Sequence, residues 1–312
     1  MNLALEQWLT EKVQRDELLL YLWQNERTVV IGRNQNAWKE VDLEALTGDG
    51  GKLARRFSGG GAVYHDLGNL NFSFCVHRDN YDVERQLEVI AEAVRSFGIP
   101  AERTGRNDLE AYGKKFSGNA FLKTEQGCCH HGTLMLRVDE ERLSRYLTVS
   151  KAKLASKGVD SVRARVGNLT DWCPDLTAER LSVALRGAMA RVYDLPIEVL
   201  DLTEALRPEE VQAKADYLQS WDWLYGRKIP CTFEQEQRFS WGSVQIELQI
   251  DRGVIQAVRC YSDALDTTLV HCVEEALIGC RFDKEALKER LAWNADLAGW
   301  TCAITGLLKD QI

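Results

Sequence analysis

Three consecutive glycines, Gly59, Gly60 and Gly61, sit between a basic pair and an apolar run in the stretch from Arg55 to Ser73. Without a Cβ, the backbone there can come close to a ligand. Successive amide N–H groups in such a loop can form an anion-binding concavity. Arg55 or Arg56 at its entrance can add a planar fork of donors for a carboxylate or phosphate. The competing reading is a glycine hairpin turn with two solvated arginines. No Gly-Lys-Ser/Thr follows and the spacing is not Gly-x-Gly-x-x-Gly, so this is neither a Walker-type phosphate loop nor a dinucleotide fingerprint. Residues 62–64 and 71–76 read as short strands around a turn at 66–69, which puts the glycines at a strand mouth.

From its start the chain runs in a helical pattern, with Leu3, Leu5, Trp8, Leu9 and Val13 on one face. Leu18–Trp23 and Thr28–Ile31 read as a hairpin closed at 24–27, and the polar turn over 32–36 can aim Arg33 at a ligand pocket. Val83, Leu87, Ile90, Val94 and Phe97 space an amphipathic helix that ends at Gly98 and Pro100. Next come Gly105-Arg106-Asn107-Asp108-Leu109 and Gly113-Lys114-Lys115-Phe116-Ser117-Gly118-Asn119-Ala120, two turns around short strands, so Asp108 and Lys115 can meet in space. Cys128-Cys129-His130-His131 invites zinc, but strand neighbours project to opposite faces and four of them cannot converge on one ion. Residues 149–169 form a basic, partly apolar loop with Lys151, Lys153, Lys157, Arg163 and Arg165, of a length uncommon without a function. Leu181, Leu185, Ala188, Met189 and Val192 make a further amphipathic helix.

The pattern changes beyond an acidic and aromatic boundary at 201–235, with a turn at 226–230. Residues 244–250 alternate as a half-buried strand, Asp251-Arg252-Gly253 turns, 254–261 supply a second strand, and helices are expected near 267–279 and 284–293. The expectation is a large unit over 1–230 and a small α+β unit over 236–312, which 312 residues accommodate. A formal net charge of −8 argues against nucleic acid or a membrane surface as partner, so an anionic ligand needs a local basic pocket. Nine cysteines without Cys-x-x-Cys spacing, and no secretory or membrane-length apolar segment, point to a reducing cytoplasm.

The string Arg-Arg-x-Ser-Gly-Gly-Gly-Ala-Val-Tyr-His-Asp-x-Gly-Asn over 55–69 closely resembles the lipoate-protein ligase family, adenylate-forming enzymes that attach lipoic acid to a lysine of acceptor proteins. Val-Ile-Gly-Arg-x-Gln-Asn, Gly-Arg-Asn-Asp-Leu, Lys-Phe-Ser-Gly-Asn-Ala and His-His-Gly-Thr extend the likeness. With the small C-terminal unit it covers nearly the whole chain. It implies an α+β fold, a large mixed-sheet catalytic domain of the biotin/lipoate ligase type with a small accessory domain. In the family a strand precedes the segment that resembles 2–6; here the expectation is a truncated sequence or a sheet with one edge strand fewer.

The resemblance implies ATP-dependent activation of lipoate, or octanoate, to an acyl-AMP with release of pyrophosphate. Transfer follows to a lysine of acceptor lipoyl domains, those of 2-oxoacid dehydrogenase E2 subunits and the glycine cleavage H protein. Such a site brings two anions together, so fixed cations and N–H dipoles must be aimed at the reacting phosphate. Lys115 matches the lysine these enzymes use at the adenylate and is implied as the catalytic residue, meeting both ATP and lipoate. Arg56, Gly61, Ala62, Val63 and Tyr64 are implied to hold the nucleotide. Arg56, Gly60 and His131 are implied to meet lipoate, and Asp108 to meet the nucleotide and Mg2+. The 149–169 loop resembles the family's mobile cover, and the small domain is expected to rotate about 226–236. An apolar slot for the tail is expected around Val76 and Leu134. The runner-up is an octanoyl or lipoyl transferase acting through a cysteine acyl-enzyme. The position comparable to its cysteine reads Leu147-Thr148-Val149-Ser150-Lys151, which leaves Cys128 and Cys129 as candidate thiols.

Overall fold

The structure, a computed structural model, describes residues 1–104, 108–148, 166–202, 206–292, 304 and 306–308. Its strands are β1 (Leu18–Trp23), β2 (Thr28–Ile31), β3 (Lys52–Arg55), β4 (Val63–His65), β5 (Asn69–His77), β6 (Glu102–Thr104), β7 (Asp108–Ala111), β8 (Lys114–Lys123), β9 (Gly127–Met135), β10 (Phe233–Phe239), β11 (Gly242–Asp251) and β12 (Val254–Ser262). They form an antiparallel six-stranded sheet of order β1-β5-β9-β8-β7-β6, a small sheet of order β3-β2-β4, and a third of order β10-β11-β12. The mixed pairing lies in the small sheet, where β2 runs parallel to β3 and antiparallel to β4.

The expected hairpin of β1 and β2 does not form. Arg27 takes φ +41° between them, and each strand joins a different sheet, β1 pairing along its length with β5. The turn over 66–69 likewise carries the chain from the small sheet into the large one. The glycine loop joins β3 to β4 within the small sheet and lines one cavity with Lys115 of β8 and His131 of β9 in the large one.

Alternation in β5 explains the layering. Phe72 and Phe74 face the core under helices Val83–Arg95 and Ala178–Tyr193, whereas Cys75 joins the opposite core with Leu3, Trp8 and Leu9 of helix Asn2–Lys12. Helix Val83–Arg95 starts at an Asp82 side chain that accepts from the Arg85 N–H, and it buries Leu87, Ile90, Ala91 and Val94. The third sheet closes on helices Thr268–Leu277 and Lys284–Ala292 around Val244, Ile246, Leu248, Val258, Leu269 and Val273. Its edge strand β10 reads Phe-Glu-Gln-Glu-Gln-Arg-Phe, polar enough to pass for a linker, and Lys39 of the large unit pairs with Glu234 and Glu236 there. Among the described residues no helix is long and apolar enough to cross a membrane.

Candidate active site

Both arginines ahead of the glycine loop are buried, Arg55 to 2% and Arg56 to 6% exposure, which overturns the solvated-turn reading. Neither holds out an open fork. Arg55 donates from Nε to the Trp223 carbonyl (2.9 Å), from Nη1 to those of Gly32, Arg33 and Gln35 (3.2, 3.0 and 2.6 Å), and from Nη2 to that of Leu224 (2.7 Å). Arg56 donates to Ser58 Oγ (3.0 Å) and to the carbonyls of Val30, Gly59 and Gly61 (3.2, 2.7 and 2.9 Å). It moulds the loop while one of its edges lines the adjoining cavity. Burial pushes both guanidinium pKa values down to about 10, which leaves them charged at neutral pH.

Gly60 takes φ +90°, a backbone conformation that glycine adopts without a Cβ clash, and its N–H donates to the Ala264 carbonyl at 3.0 Å. That carbonyl comes from the turn after β12, and a Cβ on Gly59 would stand only 2.4 Å from it. The same turn is held by the Ser262 N–H donating to the Asn34 carbonyl and by Asn34 Nδ2 donating to that of Thr267 (2.9 and 3.1 Å). One amide of the loop thus already has an acceptor in the C-terminal unit. Arg227 clamps the connection, donating to Asn34 Oδ1, Glu274 Oε1 and the Cys260 carbonyl.

A cavity of about 270 Å³ opens beside the loop. Leu3, Trp23 and Val30 give it an apolar wall; Gly60, Gly61, Ala62 and Val63 line it together with Arg56, His65, Lys115, Gly118, His131, Thr133 and Asp263. Tyr64, expected among them, turns its ring towards Tyr146 in a separate core. Val76 and Leu134 are fully buried and do not line the cavity; Leu134 packs on the other face of the sheet, under the two long helices. Arg33 is exposed.

A chain of hydrogen bonds fixes the far wall. His131 Nδ1 lies 2.9 Å from both Glu6 oxygens, and His131 Nε2 lies 2.6 Å from Ser58 Oγ. A carboxylate only accepts, so Nδ1 carries the hydrogen and Nε2 receives that of Ser58. Ser73 also donates to Glu6 and in turn accepts from Trp23 Nε1 at 3.0 Å. His130, its neighbour in β9, points to the opposite core, with Nδ1 3.0 Å from Gln86 Oε1 and Nε2 2.9 Å from Asn119 Oδ1. Both histidines are buried, on opposite sides.

Burial, reinforced by the Arg56 charge, pushes the His65 pKa down to about 3, and burial does the same for His130. The unfolded chain takes up these protons below about pH 6.5 while the folded one refuses them down to about pH 3. Stability is therefore full above the unfolded value and falls on acidification, each histidine contributing up to about 1.4 kcal/mol per pH unit in that window. Denaturant titrations at pH 7 and pH 5 are expected to show the loss, and His130→Gln to flatten it.

Lys115 reaches the cavity from β8, and its Nζ stands 2.6 Å from Asp108 Oδ1, both side chains about one-third exposed. The two-residue turn Tyr112–Gly113, with φ +52° and +75°, folds β7 back on β8 and brings the pair together. Arg106 and Asn107 lie outside the described residues, as does 149–165 of the expected cover. Val166 and Gly167 are described and sit beside Lys115, the Gly167 N–H donating to the Lys115 carbonyl at 3.0 Å.

Residues 1–190 match the sequence profile of the lipoyl protein ligase A/B catalytic domain. The chain belongs to that family. Residues 228–302 match the bacterial lipoate protein ligase C-terminus. Lipoate-protein ligase A of Psychrobacter cryohalolentis is 38% identical over 296 residues, covering 93% of this chain and 87% of its own length. That of Bdellovibrio bacteriovorus is 37% identical over 297 residues, covering 93% and 88%. Among solved structures, a P. falciparum protein in complex with lipoate superposes with a TM-score of 0.84 at 29% identity, over 98% of this chain and 96% of that one. A lipoate-protein ligase A bound with ATP gives 0.61 at 28%, over 71% and 91%. A bipartite ligase of Thermoplasma acidophilum, studied with its E2 lipoyl domain, gives 0.64 at 28%, over 74% and 93%.

Glu6, Trp23, Ser58, His65 and Asp263 escaped the sequence reading. Glu6 left a signal, because a carboxylate three residues after Leu3 and three before Leu9 interrupts the apolar stripe of the first helix. Asp263 left none, since only the docking of the C-terminal unit brings it to the cavity.

Proposed function

We propose that this chain is an ATP-dependent lipoate-protein ligase. The carrying observation is that one cavity combines an ammonium, a glycine-loop backbone and an apolar wall, the set needed to join a carboxylate on an apolar tail to a nucleotide. The lipoate and ATP complexes of similar proteins support the reading. In it the lipoate carboxylate attacks the α-phosphate, pyrophosphate leaves, and the ε-amine of an acceptor lysine displaces AMP from the mixed anhydride.

Lys115 is the cation at the reacting phosphate and meets both substrates. Gly61, Ala62, Val63 and the Tyr64 backbone hold the nucleotide. Arg56 and Gly60 border the carboxylate, His131 stands on the lipoate side, and Leu3, Trp23 and Val30 receive the tail. Gly60 can offer its N–H only once the Ala264 carbonyl withdraws, which fits rotation of an accessory domain, 236–312, on a catalytic domain, 1–230. Mg2+, bound with the phosphates, would neutralise their charge; Asp108 supplies one hard oxygen ligand of the kind it takes, with Lys115 as the competitor for that carboxylate. The acceptors in this reading are lipoyl domains of 2-oxoacid dehydrogenase E2 subunits and the glycine cleavage H protein, met in the cytoplasm. The transferase alternative gains no support from the thiols. Burial raises the Cys128 pKa, and the neighbouring Cys75 sulfur with burial raises that of Cys129, the reverse of an activated nucleophile.

ATP–pyrophosphate exchange tests the reading. Exchange is expected with lipoate, more weakly with octanoate and not with biotin. Biotin-only exchange would sink the assignment.

A further inference from the structure

The pairing of β7 with β8 contains one extra residue. Asp108 faces Gly118 and Leu109 faces Ser117, but Glu110 faces Lys115, which leaves Phe116 without a partner. Without this bulge, alternation from Gly118 would put Phe116 on the cavity side and Lys115 into the core beside Ser117. With it, Phe116 and Ser117 are both fully buried, and Lys115 emerges on the face shared by Asp108 and Gly118. Bulges re-aim side chains in this way beside active sites. The lysine then lies across Gly118, where a Cβ would be 3.1 Å from both its Cε and its Nζ. Its ammonium ends 2.6 Å from Asp108 Oδ1. Since Gly118 stands directly opposite Asp108, the side chain missing from one strand is the space through which the lysine reaches the carboxylate on the other.

Resting on the reading of Lys115 as the adenylation cation, we propose that the Phe116 bulge, Gly118 and Asp108 form a cradle that sets the Lys115 ammonium before ATP arrives. Asp108 and Gly118 are then positioning residues for adenylation. A lysine stem otherwise samples many rotamers, and ordering it in advance removes that entropy from the chemical step. Asp108 holds the ammonium by charge; Gly118 holds it by leaving room.

Full-length Gly118→Ala, Asp108→Asn and Asp108→Glu are compared with wild type in lipoate-dependent exchange. Lysine labelling by trinitrobenzenesulfonate, read by peptide mass spectrometry, is the second measurement. Gly118→Ala is expected to lower kcat about 10²-fold, the scale of a 1 Å misplacement, with little change in KM for lipoate. Asp108→Asn is expected to lower kcat by about 10-fold, with partial recovery in Asp108→Glu. In Gly118→Ala and Asp108→Asn, Lys115 labels faster than in wild type, while the exposed Lys114 beside it labels at the wild-type rate. Lys115→Ala separates the two ideas: if it keeps exchange, the adenylation reading fails while the labelling still reports the cradle. Wild-type kcat with wild-type Lys115 labelling in Gly118→Ala overturns the cradle. If that variant does not fold, the same result in Asp108→Asn, which adds no bulk, overturns it equally.

Discussion

Lys115→Ala is expected to lower lipoate-dependent ATP–pyrophosphate exchange by a factor of about 10² or more while leaving the melting temperature close to wild type, by analogy with deleting one donor at a site of developing charge. The two halves of that expectation have different causes. Lys115 is about one-third exposed and, among the described residues, pairs with Asp108, so its removal opens no cavity in the core. Its Nζ nevertheless enters the cavity where two anions have to meet, and the other cation that lines it among the described residues, Arg56, is tied to Ser58 and three backbone carbonyls. Arg56 cannot swing across to substitute. The loss should fall on kcat for exchange, with KM for lipoate less affected, because the apolar wall of Leu3, Trp23 and Val30 is untouched. Near-normal exchange in the variant would transfer the role to Lys114 or to a lysine of 151–157.

How much of this was legible in the sequence depends on the range over which each feature is encoded. Asp108 and Lys115 could be brought together on paper because the turn between them is short and carries its own glycine. The face on which Lys115 emerges could not, because nothing in Lys-Lys-Phe-Ser marks Phe116 as the bulged residue; the register of β7 decides it. Strands β1 and β2 were visible as apolar runs, but their partners were not. Two adjacent strands pair by default, and only the match of β1 to all six residues from Asn71 to Val76 outweighs that default. The glycine loop was found by composition, yet one of its acceptors is the backbone carbonyl of Ala264, and a carbonyl leaves no trace in the residue type. The arginines show the same limit. Arg55 and Arg56 read alike as candidate ligands, and burial by elements about 170 residues further on separates them.

That separation makes Arg55 the second test. Arg55→Ala is expected to destabilise the protein by about 3 kcal/mol, because carbonyls held by a charged donor lose it and several of them stay buried. At this chain length that is a fall in melting temperature of roughly 5 °C. The residue joins three segments: β3 itself, the turn carrying Gly32, Arg33 and Gln35, and the short helix Trp221–Tyr225, through the carbonyls of Trp223 and Leu224. Trp223 Nε1 completes the joint by donating to the Arg55 carbonyl at 2.9 Å. Arg55→Lys should recover little, since one ammonium with three hydrogens cannot span acceptors arranged around a planar fork. Thermal melts with exchange assays well below the transition separate the alternatives. If Arg55 is a joint, the folded fraction of Arg55→Ala keeps KM for ATP and lipoate near wild type. If Arg55→Ala instead melts like wild type and loses substrate affinity, Arg55 is a ligand fork, and its side chain must leave the carbonyls of the 32–35 turn and of helix Trp221–Tyr225 on binding.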